Sequence, residues 1–225
     1  MKCDLHVHSY YSYDSTSLPK EIIGRAIKKG IDCLAITDHD QVKGIMEAEE
    51  YAKDKSIVII PGIEVKSREG DILGLNIREI IPSRLPALET MERIKDQGGL
   101  VVIPHPFGWM CSFKKNLRDF LSEIDAIEVF NASLFGSGNK IALEFAKKYN
   151  IPITAGSDAH FPNFIGRAYL EIPGRDLSPE DILEGIIKKR GTIGAEKINF
   201  LDKVIDHSRR NVAKIFSQVP YRDVN

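Results

Sequence analysis

The sequence predicts an α/β fold whose strands close into a distorted (β/α)7, TIM-like barrel. Three observations carry this expectation. Short apolar runs rich in Val and Ile alternate with amphipathic segments almost from end to end. Several of these runs are apolar on both faces, as strands buried beneath helices require. About seven such units follow one another with no linker, repeat or low-complexity stretch, which favours closure over an open sheet.

The elements justify themselves in order. CDLHVH alternates apolar and polar residues, so it reads as a strand with His6 and His8 on one face. Ser17-Leu18-Pro19 opens EIIGRAIKKG as a helix, with Ser17 as the expected cap and Gly30 as the stop. DCLAITDH is the second strand and residues 41–54 the second helix. SIVIIPGIEV and DILGLNI are the third and fourth strands, followed by a helix over 84–97. GLVVIPH and AIEVF are strands, then a helix over 137–149, then the strands IPITAGSD and RAYLEI. In SPEDILEGIIKKRG, Ser178 is the N-cap, Pro179 takes the first helical position and acids fill the first turn, which predicts a helix over 178–190. TIGAE is the last strand. FLDKVIDHSRRNVAKIF is expected to be a docking helix, about 199–219, packed outside a barrel of about 1–197 in a single domain. Repeated β-then-α units predict parallel strands.

Composition narrows the functional classes. Of 225 residues, 43% are hydrophobic, ample for a buried core. A net charge of −1 argues against a protein whose main work is gripping a nucleic-acid backbone. Cys3, Cys33 and Cys111 are far apart and form no CxxC pair, which points to reduced thiols and a cytoplasmic setting. No signal peptide is visible and no run approaches the roughly 20 apolar residues that span a bilayer, so no membrane association is expected. Oligomeric state is left open.

What ends each strand carries the chemistry. The first gives His6 and His8, the second Asp38-His39-Asp40, and the third Glu64. The fourth carries Asp71 at its start. The fifth ends in His105, the sixth in Glu128 and Asn131, and the seventh in Ser157, Asp158 and His160. Five of the six histidines lie in these motifs, and only His207 lies elsewhere. The C-terminal ends of barrel strands converge on one mouth. One histidine at a strand end is usually a hydrogen-bonded rim residue, but five interleaved with acids point to a metal site. Imidazole and carboxylate suit Zn²⁺, Mn²⁺ and Fe²⁺, and this many ligands imply two or three ions. Such centres activate water and clamp phosphoryl oxygens, so metal-assisted hydrolysis of a phosphate ester is the expected chemistry.

The motifs DLHVHS, ITDHD, GIEV, PHP and GSDAH, in this order, resemble the polymerase-and-histidinol-phosphatase (PHP) family over essentially the whole chain. The resemblance implies a distorted (β/α)7 barrel and a di- or trinuclear centre acting on phosphate esters. Carried over by motif position, it places His6, His8, Glu64 and Asp158 on one metal, and Glu64 and His105 on a second. It places Asp14 (in YYSYDS), His39 and His160 on a third. Many short members have a histidine in the pattern HILGL; this chain reads GDILGL, with Asp71 in that place. As a ligand, the harder aspartate would favour Mn²⁺ or Fe²⁺ over Zn²⁺; the alternative is that it leaves the second metal under-coordinated. The chain lacks room for the insertion of larger members that act on nucleoside bisphosphates or RNA ends.

The expected reaction is hydrolysis of a phosphate monoester, small-molecule or nucleotide, by a hydroxide bridging two metals. His39, His160 and Asp158 are the catalytic candidates, either imidazole being placed to protonate the leaving group. Arg167, Asn131 and Ser157 are candidate substrate-binding donors. Asp38 is expected to hold an imidazole's other nitrogen, and Asp40 to cap a helix. Phe107, Trp109 and Met110 form a loop expected to pack on the rim, with stacking on a substrate ring as the functional alternative. A nuclease working on nucleic-acid ends from the same site is the alternative function. A relict, non-catalytic module and a C–N amidohydrolase rank below it.

Overall fold

The computed structural model describes residues 1–108, 112–196 and 200–216. Its strands are β1 (Lys2–Val7), β2 (Cys33–Ile36), β3 (Val58–Lys66), β4 (Asp71–Leu75), β5 (Leu100–Ile103), β6 (Ala126–Asn131), β7 (Ile153–Gly156), β8 (Ala168–Glu171) and β9 (Thr192–Ala195). Its helices are α1 (Pro19–Lys28), α2 (Lys43–Ala52), α3 (Ala87–Asp96), α4 (Gly138–Tyr149), α5 (Pro179–Ile187) and α6 (Phe200–Phe216). Trp109, Met110 and Cys111, as well as 197–199 and 217–219 at the expected edges of the barrel and last helix, lie outside the described residues. No helix among the described residues is long and apolar enough to cross a membrane.

Local chemistry sets the helix ends. At α5 the Ser178 hydroxyl accepts from the Asp181 N–H (3.2 Å) while the Asp181 carboxylate accepts from the Ser178 N–H (3.0 Å), a reciprocal cap. α1 stops at Gly30, whose φ of 67° is the left-handed conformation a helix end needs. Ser17 does not cap α1. Its hydroxyl donates to the His160 carbonyl (3.0 Å), and the α1 cap position falls on Leu18.

The sheet runs β7-β6-β5-β4-β3-β2-β1-β8-β9. β1, β2 and β3 are mutually parallel, as are β5, β6 and β7. The all-parallel expectation fails at β4, β8 and β9, which run antiparallel to their neighbours. For β4 the reason is the connection: residues 67–70 form a tight turn, closed by the Ser67 N–H donating to the Gly70 carbonyl (3.0 Å). A parallel crossover needs a dozen or more residues. Reversal puts the start of β4 beside the end of β3, with Asp71 opposite Lys66 and Leu73 opposite Glu64. Asp71 therefore reaches the mouth from the opposite end of its strand.

The ring closes between β1 and β7. The Asp158 N–H donates to the His6 carbonyl (2.8 Å) and the His8 N–H to the Ala159 carbonyl (3.0 Å). Below this seam, Leu5, Ile60, Leu73 and Val102 pack with Ile182 and Ile186 of α5 in one buried cluster that seals the far end. The β1–β2 register slips between Asp4 and Val7. A bulge re-aims side chains: Leu5 stays with the buried apolar cluster, while His6 and His8 turn toward each other, ring centroids 5.1 Å apart. α6 docks on the outside of the barrel, with Asp206 and Ala213 buried. The place it covers is the mouth.

Candidate metal centre

His6, His8, His39, Glu64, His105, Asp158 and His160 come from the ends of five strands and meet in one pool. Three overlapping groups have ligating atoms within 4.8 Å of one another: His6, His8 and Asp158; His6, Glu64 and His105; and His8, His39 and His160. Glu64 is the hub. Its Oε1 lies 3.1 Å from His105 Nε2, and its Oε2 lies 3.3 Å from Nε2 of both His6 and His8 and 3.0 Å from His39 Nδ1. Asp14, from the loop after β1, lies 3.1 Å from His160 Nε2 and 3.5 Å from His39 Nε2. Asp71 stands near enough to Glu64, His105 and His39 to feel their charge; burial and Glu64 push its carboxyl up.

The rings are held by their far nitrogens. His6 Nδ1–H donates to Glu128 Oε1 (3.1 Å), and His160 Nδ1–H donates to the Asp158 carbonyl (3.0 Å). The Ser12 hydroxyl donates to Asp38 Oδ1 (2.8 Å), so its oxygen accepts from His8 Nδ1–H and from the His39 N–H, both at 3.0 Å. All three rings thus present an Nε2 lone pair to the pool. His6 Nε2 and His8 Nε2 lie 3.1 Å apart. His160 Nε2 and Asp14 Oδ1 are buried without a hydrogen-bond partner. Buried lone pairs that converge on one another are costly unless a cation sits among them. The donor set, imidazole nitrogen and carboxylate oxygen, suits zinc, manganese or iron.

The electrostatics agree with this. Burial would raise Glu64, but His6 and His39 hold it well below the usual carboxylate range. Burial likewise opposes the ionisation of Asp158, and Arg210 and His6 outweigh it. Burial and Arg210 push His160 down to about 3, which keeps its imidazole neutral. Ionised carboxylates and a neutral His160 are states that ligate metal. Against burial, Glu128 and Glu64 push His6, and Asp14 and Glu64 push His39, well above the ordinary imidazole range, so on these two rings protons compete with a cation for the ring nitrogens. Asp158 (φ 51°) and His105 (φ 31°) also sit in the left-handed region that non-glycine residues avoid, a strain that clusters at functional sites. Packing is close as well: a Cβ on Gly156 would lie 2.4 Å from the His6 Cβ.

The other expected donors have different work. The Ser157 hydroxyl donates to Asp4 Oδ2 (2.6 Å), within a buried set that also ties the Gly166 N–H to Asp4 (2.8 Å). Asn131 Nδ2 donates to Glu128 Oε2 (2.9 Å) and reaches Asp158 Oδ2 at 3.4 Å, so it steadies two acids of the site. Arg167 pairs with Asp202 of α6 (3.3 Å) and lies 4.2 Å from the Phe164 ring, outside the histidine pool. Asp40 accepts from the Lys66 N–H (2.8 Å) instead of capping α2. Phe107 packs against Phe145, ring centroids 5.6 Å apart.

Sequence reasoning missed Ser12, Glu128 as the partner of His6, and Arg210. Ser12→Ala removes one of two hydrogen bonds to Asp38 Oδ1, leaves the His39 N–H without its partner and frees the His8 ring. Metal affinity is expected to fall about 10- to 100-fold, measured by competition with a chromogenic chelator. An unchanged affinity would remove Ser12 from the ligand-holding set.

A sequence profile described as PHP-associated matches residues 136–190. An uncharacterised protein of Methanocaldococcus jannaschii is 34% identical over 217 residues, which cover 89% of this chain and 85% of that one. A 3′,5′-nucleoside bisphosphate phosphatase of Chromobacterium violaceum is 35% identical over 104 residues, 42% of this chain and 36% of the relative. A 5′-3′ exoribonuclease of Haemophilus influenzae is 37% identical over 100 residues, 43% of this chain and 36% of the relative. Among solved structures, a two-domain protein of Bacteroides vulgatus containing a predicted PHP-like metal-dependent phosphoesterase superposes with a TM-score of 0.75. It shares 19% identity, over 93% of this chain and 69% of that one.

Proposed function

The chain belongs to the PHP family, and from that premise we propose that it is a metal-dependent phosphoesterase that hydrolyses a phosphate monoester of a small molecule or nucleotide. One observation carries the reading. His6, His8 and His160 each commit Nδ1–H to a fixed acceptor and turn Nε2 toward buried carboxylates. That is a ligand set with nothing but cations to satisfy it.

Two or three divalent ions, zinc, manganese or iron, bound among these residues would supply the electrophile for the phosphoryl oxygens and an acidified water. His6, His8, Glu64 and Asp158 would hold one, Glu64 and His105 a second with Asp71 in reach, and Asp14, His39 and His160 a third. Glu64 turns one oxygen to His105 and the other to His6, so it could serve both of the first two positions. Asn131 and Glu128 keep Asp158 and His6 in register. Of the two candidate acids, His39 has solvent access while His160 is buried. With the first two positions filled and the third empty, His39 would be the ring to deliver a proton to the leaving-group oxygen.

The experiment is metal analysis coupled to a panel of histidinol phosphate, nucleoside mono- and bisphosphates and short oligonucleotides, with Mn²⁺, Fe²⁺ or Zn²⁺ supplied. Release of inorganic phosphate from monoesters is expected. Cleavage of the oligonucleotides alone would favour the exonuclease, the reading to which the Haemophilus relative points. Metal-loaded protein inert towards every member would overturn the enzyme reading.

A further inference from the structure

Arg210 on α6 points into the mouth, its side chain 14% exposed. Nη2 is firmly anchored: it donates to the Ser133 hydroxyl (2.5 Å) and the Asp158 carbonyl (2.6 Å), and lies 2.7 Å from Asp206 Oδ2, one helical turn earlier. The rest of the fork is barely engaged. Nη1 has two long contacts, 3.4 Å to each oxygen of Asp158, and Nε is buried with no hydrogen-bond partner among the described residues. Good charge-assisted bonds of this kind are about 2.7–2.9 Å. Asp206 itself is 4% exposed, so α6 carries a buried carboxylate that orients its own arginine. One turn further on, Lys214 Nζ lies 3.7 Å from Asp14 Oδ2. α6 thus presents two cations to the two outer carboxylates of the pool.

A guanidinium fixed at Nη2, with Nη1 held only by two long contacts to Asp158 and Nε unpartnered among the described residues, is a receiver for phosphoryl oxygens at a site proposed to handle phosphate. We propose that Arg210 and Lys214 bind the phosphoryl oxygens of the substrate, so that α6 is the recognition element of the site. Two cationic donors suit the three terminal oxygens of a monoester better than the two free oxygens of a diester, in line with the monoester substrate proposed above. This rests on the phosphoesterase reading above.

The test uses manganese-loaded full-length protein, with inorganic phosphate titrated calorimetrically and p-nitrophenyl phosphate and bis(p-nitrophenyl) phosphate as substrates. Arg210→Gln is expected to weaken phosphate binding about 10- to 100-fold, and Lys214→Ala about 3-fold, with manganese content unchanged. KM for the monoester should rise more than KM for the diester, with kcat nearly constant. Unchanged phosphate affinity in both variants would overturn the proposal. So would an Arg210→Gln protein that loses manganese in step with phosphate, because Arg210 would then only position Asp158. If Arg210→Gln does not fold, the exposed Lys214→Ala decides. Wild-type protein that binds phosphate through these residues but hydrolyses nothing would sink the enzyme reading and leave this one standing.

Discussion

Replacing Glu64 by glutamine is expected to remove phosphoesterase activity, by ~10³-fold or more. The side chain keeps its size, so the buried site keeps its shape. What changes is the hub. Glu64 places one oxygen against His105 and the other against His6, His8 and His39. A glutamine offers one oxygen and an NH₂ donor, so one of these faces meets the wrong polarity. It also takes a negative charge from the centre of a cluster of imidazoles, which weakens the hold on both adjoining cations. Turnover of p-nitrophenyl phosphate, metal content and circular dichroism check this together. A folded variant with full metal content and activity within about tenfold of wild type would remove Glu64 from the reaction.

Stripping divalent ions is expected to lower the melting temperature by about 10 °C. At ligand concentrations near 1,000 times Kd, a bound ion contributes about 4 kcal/mol, and in a chain of this size each kcal/mol moves Tm by roughly 2–4 °C. The stripped protein retains the penalty of the convergent buried groups: His160 Nε2 and Asp14 Oδ1 have no hydrogen-bond partner, and Glu64 and Asp158 remain ionised. Scanning fluorimetry in a chelator, followed by re-addition of Mn²⁺ or Zn²⁺, measures the shift and its reversal. An unchanged melting curve in the chelator would mean that the site is held by its hydrogen bonds alone.

Much of the fold was legible because the alternation of runs is strong. All nine strand runs form strands, and the helices expected over 137–149 and 178–190 are observed at Gly138–Tyr149 and Pro179–Ile187. Strand direction was less legible, since it depends on connection geometry: GDILGL has the same apolar pattern whichever way it runs. The pool itself could be read because each acid or histidine sits at a strand end, and a barrel sends those ends to one place. The second rank could not. Ser157 and Asp4 lie 153 positions apart in sequence yet share two hydrogen bonds, and no local pattern signals which serine turns inward. FLDKVIDHSRRNVAKIF reads as an ordinary amphipathic surface helix. The one local hint of Arg210 is its i, i+4 spacing from Asp206, and a charged pair at that spacing is usually solvated.

The seam between β1 and β7 gives the centre a second meaning. A barrel behaves as a hoop, and a hoop opens at its weakest join. Here two backbone hydrogen bonds, at His6, His8, Asp158 and Ala159, and two from Ser157 to the Asp4 carboxylate make the join. His6 and His8 stand on one bank and Asp158 and His160 on the other. Ions bound among these residues would be gripped from both banks and would act as a clasp across the join. A chain folded where such ions are scarce would lack that clasp at the place where its chemistry is proposed to occur, and would hold the seam by hydrogen bonds alone.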